Sequence, residues 1–436
     1  MSSTSGINKN YKPLFNKGRT DYNSSVSKPR EFSIFSTNGI KDTNSDEILL
    51  DDDCNLNYYH FPEDYILMNS NYNYNNSNDS GVIDLLKGIK KYDHAMAIDT
   101  TKLDGLLKSV MNYEQNKFDN KKLPFEMLLS DDSLLSIITS GLVIDNQILN
   151  TDDVINKPTR IFQLVTYDNQ IFIKNVIIKN NDNSITNEEY SKLKFQTCSS
   201  LSKNLAQIEP VKIEKRFLKI PNNKNKKFTS VIKQAINKHK VVLSSDTVSI
   251  RGVNIIDLNR NDDVDQEDFQ DVILDDSFVY NGENLSRYVN VDTYKVINNP
   301  NEAYQFEKFL YCKWLRAFLT GKEYTIIGFT DDTFKLRGIE EFKTSDIPSF
   351  LQKDGKNKDI KFAFKDALNF YGKFVEWLEE TLEPSESERF YQLKFENNYW
   401  HLIEVLDQAI IQRDGFDTVL SPEFKAWRES LKQKQL

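Results

Sequence analysis

Apolar positions along this chain switch between two periods. From Val82 to about Met111 they recur at helical spacing, with Ile83, Leu86 and Ile89 followed after a break by Leu103, Leu106, Leu107 and Val110, which predicts helix. The middle of the chain alternates instead. Phe162–Tyr167 and Gln170–Lys174 flank Asp168-Asn169 and predict a hairpin with a two-residue turn. Further strands are expected at Phe228–Ile232, Val241–Leu243, Thr247–Ile250 and Arg287–Val291. Helical spacing returns with Ala303, Phe306, Leu310, Trp314 and Phe318, and Gly321 is expected to end that helix. The run Tyr324–Phe329 suits a buried strand, Phe364, Leu368, Tyr371, Val375 and Leu378 a second amphipathic helix, and Tyr391–Phe395 another strand. Ser421-Pro422 places an N-cap and a first-turn proline before a short final helix through Trp427.

Polar stretches set the boundaries. Residues 1–29 are rich in Ser, Asn and Lys without periodicity and read as a disordered tail. Order is expected from Arg30 onward as one mixed α/β domain, 30–436, with no internal repeat. Asn69–Ser80 reads as a loop, because it offers almost nothing to bury. An acidic loop lies at about 257–276. Its Asp262–Asp276 stretch invites a calcium-loop reading, but the sharp-turn glycine is absent and Leu274 stands where the closing Glu is needed, so a solvated loop is preferred.

Composition narrows the class. With 436 residues, 28 Phe and 20 Tyr, the chain can fill a sizeable core, which excludes disorder throughout. Three cysteines exclude a disulfide framework; they and the lack of a signal-peptide core point to an intracellular setting. No apolar run approaches the roughly 20 residues a membrane helix needs. The net charge of -9 argues against a generic nucleic-acid binder, so any RNA contact must be local. The basic stretch Lys212–Lys240 is either a solvated surface or such a local footprint for RNA or an acidic partner. His60, His94, His239 and His401 lack zinc-ligand spacing, and Cys198 and Cys312 sit among apolar neighbours as core thiols.

Several motifs in order carry a resemblance. Arg30-Glu-Phe-Ser33, Glu47-Ile-Leu-Leu-Asp51 and Leu56-Asn-Tyr-Tyr59 open it. Trp314–Gly321, Ile326–Asp332 and Glu340–Thr344 through Ile347-Pro348 extend it late in the chain. Together they resemble the DXO (Rai-type) family of RNA 5′-end decapping nucleases, especially the fungal branch that partners a nuclear 5′→3′ exoribonuclease. The resemblance implies twisted mixed β-sheets flanked by helices around a central cleft, with clustered carboxylates holding Mg²⁺ or Mn²⁺. Such metals activate water and neutralise charge on phosphate oxygens.

Residue by residue, the family's chemical positions have changed here. Its Arg-Gly falls on Asp104-Gly105, inverting a charge, and its G-Φ-K-Φ-E falls on Lys192–Gln196, leaving an amide at Gln196. Its E-Φ-D falls on Asp246-Thr247-Val248, and its E-L-K on Asn290-Val291-Asp292. Arg316 takes the place of a helix glutamine, and Thr330 that of an arginine. Strand alternation is expected to put Asp246 with Val248 on one face, and Asn290 with Asp292 on another. Arg316 either forms a helix salt bridge or neutralises Asp292. These substitutions imply a lost activity, with the chain acting as a nuclear exoribonuclease partner. The alternatives are an active decapping or pyrophosphohydrolase nuclease using a site rewired through Asp246 and Asp292 with Mg²⁺ or Mn²⁺, and a non-cutting RNA 5′-end binder.

Overall fold

The structure is a computed structural model that describes residues 9–15, 23–39, 46–61, 83–92, 102–140, 143–144, 147–148, 160–176, 185–203, 208, 215–221, 226–251, 284–353 and 360–435. The polar tract 69–80 and the acidic loop lie outside these residues. In chain order the strands are β1 Lys9–Asn10, β2 Leu14–Phe15, β3 Arg30–Asn38, β4 Glu47–Leu50, β5 Asn57–Tyr59, β6 Met127–Ser130, β7 Val143–Ile144, β8 Gln147–Ile148, β9 Arg160–Tyr167 and β10 Gln170–Asn175. They continue as β11 Ser200–Leu201, β12 Lys226–Ile236, β13 His239–Thr247, β14 Ser249–Arg251, β15 Tyr288–Lys295, β16 Tyr324–Thr330, β17 Leu336–Lys343, β18 Arg389–Glu396 and β19 Tyr399–Glu404. The α-helices are α1 Asp104–Asn116, α2 Asp131–Thr139, α3 Asn187–Cys198, α4 Pro300–Thr320, α5 Ile347–Lys353, α6 Ile360–Thr381, α7 Gln408–Asp414 and α8 Pro422–Gln435.

Two mixed sheets organise the chain. The larger runs β1-β19-β18-β9-β10-β6-β13-β12-β3-β4, with β2 also on β19; the smaller runs β11-β5-β14-β15-β16-β17. Alternation along the larger sheet supplies two cores. Met127 and Leu129 face one cluster and Leu128 the other, as Ile232 and Val231 do. The first cluster lies between the sheets with α2, α4 and α6, through Leu243, Tyr288, Phe306, Leu310, Ile327 and Phe374. The second packs α1 and the start of α8 on the outer face, through Phe35, Leu106, Leu107 and Phe424. On the far side of the smaller sheet, Phe195 and Cys198 of α3 cover Val289, Val291 and Ile326.

Local chemistry explains the element ends. Asp168 and Asn169 both adopt positive φ, 51° and 57°, which twists the β9–β10 hairpin as its sequence predicts. Asn299 caps α4 by accepting from the amides of Asn301 and Glu302, and Gly321, at φ 75°, ends it. The Ser421 hydroxyl accepts from the Phe424 amide as the N-cap of α8. The helix expected from Val82 begins only at Asp104; residues 83–92 form turns ending in a short 3₁₀ segment, and Gly88 has φ 99°. The N-terminal segment read as a tail also differs. β1 and β2 pair with β19, the Tyr11 hydroxyl donates to Glu404 at 3.1 Å, and the Trp377 indole donates to the Lys12 carbonyl at 2.9 Å. A few backbone ladder bonds and two buried-side anchors hold a segment whose composition alone suggests no order.

The chain passes from the larger sheet to the smaller at Val248, between the end of β13 at Thr247 and the start of β14 at Ser249. Val248 presents its carbonyl to the Asn57 side chain, which fixes the crossing.

Candidate functional site

The crossing decides where the singled-out residues fall. Alternation continued through Val248 would aim it with Asp246, but the sheet change breaks that relation. Val248 packs with the Phe195–Val289 cluster under α3. Asp246 is exposed on β13, accepting from Lys227 at 2.7 Å and from the Thr229 hydroxyl at 2.9 Å, both on the neighbouring strand β12. The expectation that Asp246 and Val248 share a face is therefore corrected.

On β15 alternation holds. Val289 and Val291 turn toward α3, which leaves Asn290 and Asp292 on the opposite face. Asp292 is buried between two helices. It accepts from Lys192 of α3 at 2.9 Å and from Lys313 of α4. Burial by itself would raise the Asp292 carboxyl; the Lys192 and Lys313 ammoniums outweigh it and hold the group well below the usual carboxylate range. Lys313 is pushed down by burial, with Asp292 opposing. Gln196 spends its amide N–H on the Val291 carbonyl at 2.9 Å, bracing α3 against the strand. Among the described residues the buried amide nitrogen of Asn290 has no hydrogen-bond partner, nor has the Thr325 hydroxyl on the adjoining strand β16.

Arg316 does not neutralise Asp292. Its guanidinium pairs with Asp132 in the first turn of α2, so of the two readings the helix salt bridge stands. The reason is reach along a helix: Lys313, one turn before Arg316, is nearer the strand and takes the carboxylate. Around the same helix ends lies a buried polar group. Lys322, just past α4, donates to the Asp246 carbonyl at 2.8 Å, and the Ser245 hydroxyl donates to Asp131 at 2.7 Å. Burial pushes Lys322 down to about 8, against the field of Asp131. Glu31, in the Arg30–Ser33 motif, is buried beside the Tyr288 hydroxyl at 3.4 Å, and burial pushes it up to about 7.

Asp104 is placed with Asp246. Both line a cavity of about 440 Å³ between α1, β3, β4, β12, β13 and the segment 417–423. Its wall carries Lys102, Lys108 and Lys227 as well as Asp46, Asp417 and Glu423, over Phe35, Ile48 and Leu420. Lys227 is committed to Asp246. Of the site residues, Asp104 and Asp246 thus share the cavity, Gln196, Asn290 and Asp292 gather at β15, and Val248 and Arg316 stand apart from both. Among the described residues no three His, Cys, Asp or Glu side chains converge as a metal-binding group. Sequence reading missed Lys313, Lys322, Asp131, Asp132 and Glu31. The spacing of Lys313 and Arg316, three apart on one helix, was the available signal for the first. Cys198 and Cys312 are buried as expected.

The sequence has relatives along almost its whole length. The model of the RAI1-like PD-(D/E)XK nuclease family matches residues 27–425. The decapping nuclease RAI1 of Kluyveromyces lactis is 28% identical over 424 residues, covering 94% of this chain and 96% of that protein. The Saccharomyces cerevisiae protein of the same name is 27% identical over 429 residues, covering 93% and 96%. The crystal structure of Candida albicans Rai1 in complex with pU5–Mn²⁺ superposes with a TM-score of 0.72 at 23% identity, covering 97% of this chain and 100% of that one. With the two-sheet fold, the ordered motifs and this end-to-end match, the chain belongs to the RAI1-like PD-(D/E)XK nuclease family.

Proposed function

We propose that this protein is a family member that no longer hydrolyses RNA 5′ ends and that acts as a non-catalytic nuclear partner, stabilising a 5′→3′ exoribonuclease. The observation that carries the reading is the state of β15. Where the family motif has Glu and Lys, this strand has the neutral Asn290 and an Asp292 already neutralised by Lys192 and Lys313.

Relatives of known structure hold Mn²⁺ or Ca²⁺. The residues here do not fit such an ion. Hard divalent cations take about six or more oxygen ligands, waters included, and are anchored by carboxylates whose charge is free to face the ion. The β15 face offers one carboxylate with two ammoniums in contact, and the other carboxylate, Asp246, already pairs with Lys227. What the residues do is hold structure: Gln196 and Asp292 tie α3 and α4 to one strand, and Arg316 ties α4 to α2.

Purified protein incubated with triphosphorylated, incompletely capped and monophosphorylated RNA plus Mg²⁺ or Mn²⁺ tests the loss of activity. No 5′-end product is expected. Cleavage that disappears in Asp246→Ala or Asp292→Ala would restore the rewired enzyme. A pull-down from nuclear extract with the intact chain is expected to recover a 5′→3′ exoribonuclease, and its absence from the eluate would remove the partner role. Filter binding across a salt series separates the non-cutting RNA binder, whose affinity must fall with salt in proportion to its phosphate contacts.

A further inference from the structure

We propose that Lys192 and Lys313 act as resident counter-cations of Asp292, a built-in ion cluster that closes this carboxylate to divalent metals. The inference deepens the functional reading above, and it stands on the geometry of three elements. Asp292, a residue only 7% exposed, extends from β15, and two ammoniums from different helices reach the same carboxylate oxygen, Oδ2. Its other oxygen, Oδ1, accepts the Thr293 amide at 2.9 Å. Both oxygens are thus engaged, and the local charge sum is one positive, so an approaching dication meets repulsion where a bare carboxylate would attract it. Among the described residues beside it, Gln196 and Asn290 are neutral, and Arg316 faces Asp132. A buried carboxylate with its ammoniums removed is the costly state, and it has two remedies. Either a cation from solution replaces them, or the carboxylate itself is made neutral.

Those two remedies make the test. The full-length wild type, Lys192→Gln/Lys313→Gln, Asp292→Asn, and the triple variant combining all three are melted with EDTA and across a Mn²⁺ titration. Free Mn²⁺ is followed in parallel by its electron paramagnetic resonance signal. The wild type is expected to melt at the same temperature in EDTA and in Mn²⁺. The double variant is expected to melt several degrees lower or to be unfolded, and the triple variant to regain most of the loss without metal. A folded double variant is expected to gain a Mn²⁺-dependent rise in melting temperature that the triple variant lacks. A Mn²⁺-dependent rise in the wild type that Asp292→Asn abolishes would overturn the assignment, as would a triple variant that melts as low as the double. RNA cleavage by a wild type whose Asp292 takes up no Mn²⁺ would defeat the functional reading while supporting this one.

Discussion

At the scale of single residues, the chemistry of this protein turns on which buried charges have partners. Glu31 is the clearest case. Burial pushes its carboxyl up from an ordinary 4.5 to about 7, against the Ser230 and Tyr288 hydroxyls and the Lys322 charge. A raised acid is protonated in the folded chain while the unfolded chain has already released its proton. Its contribution to stability is therefore complete below about pH 4.5 and is lost as pH rises through about 7, a difference on the order of 3 kcal/mol. Glu114, also raised by burial despite the facing Arg428, adds a change of the same sign. Urea midpoints should fall between pH 5 and pH 7.5, and Glu31→Gln should flatten that fall. An unchanged slope in the variant would place the titration elsewhere. Asp292 carries the opposite logic. Its depressed carboxyl contributes stability above the unfolded range and loses it only in strong acid, so it leaves this window untouched.

At the scale of elements, the positions that mattered were those where one element leans on another. Gly105 lies in the first turn of α1, and a methyl there would overlap the Phe35 ring of β3. Helix propensity favours alanine over glycine by about 1 kcal/mol. Overpacking at a backbone-to-ring contact outweighs it, so Gly105→Ala should lower stability by roughly 1–3 kcal/mol in urea unfolding. Stabilisation instead would mean that α1 can ride away from the sheet freely. The same contact explains why Asp104, its neighbour, borders the cavity: α1 sits close enough to β3 for its first turn to form the wall. Much of this level was legible from periodicity. The β9–β10 hairpin, the Gly321 stop and the Ser421 cap follow from local sterics and hydrogen bonding, which adjacent residues carry. The break in strand alternation at Val248 was not legible, because a change of sheet is decided by Asn57 and by strands far away in sequence.

At the scale of the whole molecule, the N-terminal segment closes an edge. β1 and β2 cover β19, whose backbone would otherwise offer unpaired donors and acceptors. Deleting residues 1–22 should lower the melting temperature and bring concentration-dependent association, read by light scattering; a monomer of unchanged stability would show that the ladder contributes nothing. The two-period pattern, the mixed α/β class and the ordered motifs were legible before any fold was known. Those are properties of residue type and spacing, and they survive without coordinates. Packing was needed to bring Lys192 and Lys313 together at Asp292, to turn Arg316 to Asp132, and to put Asp246 and Asp104 on one cavity. Each of those partners comes from a different element, and long side chains choose among several carboxylates by reach and burial. Neither quantity exists until the sheets and helices are packed.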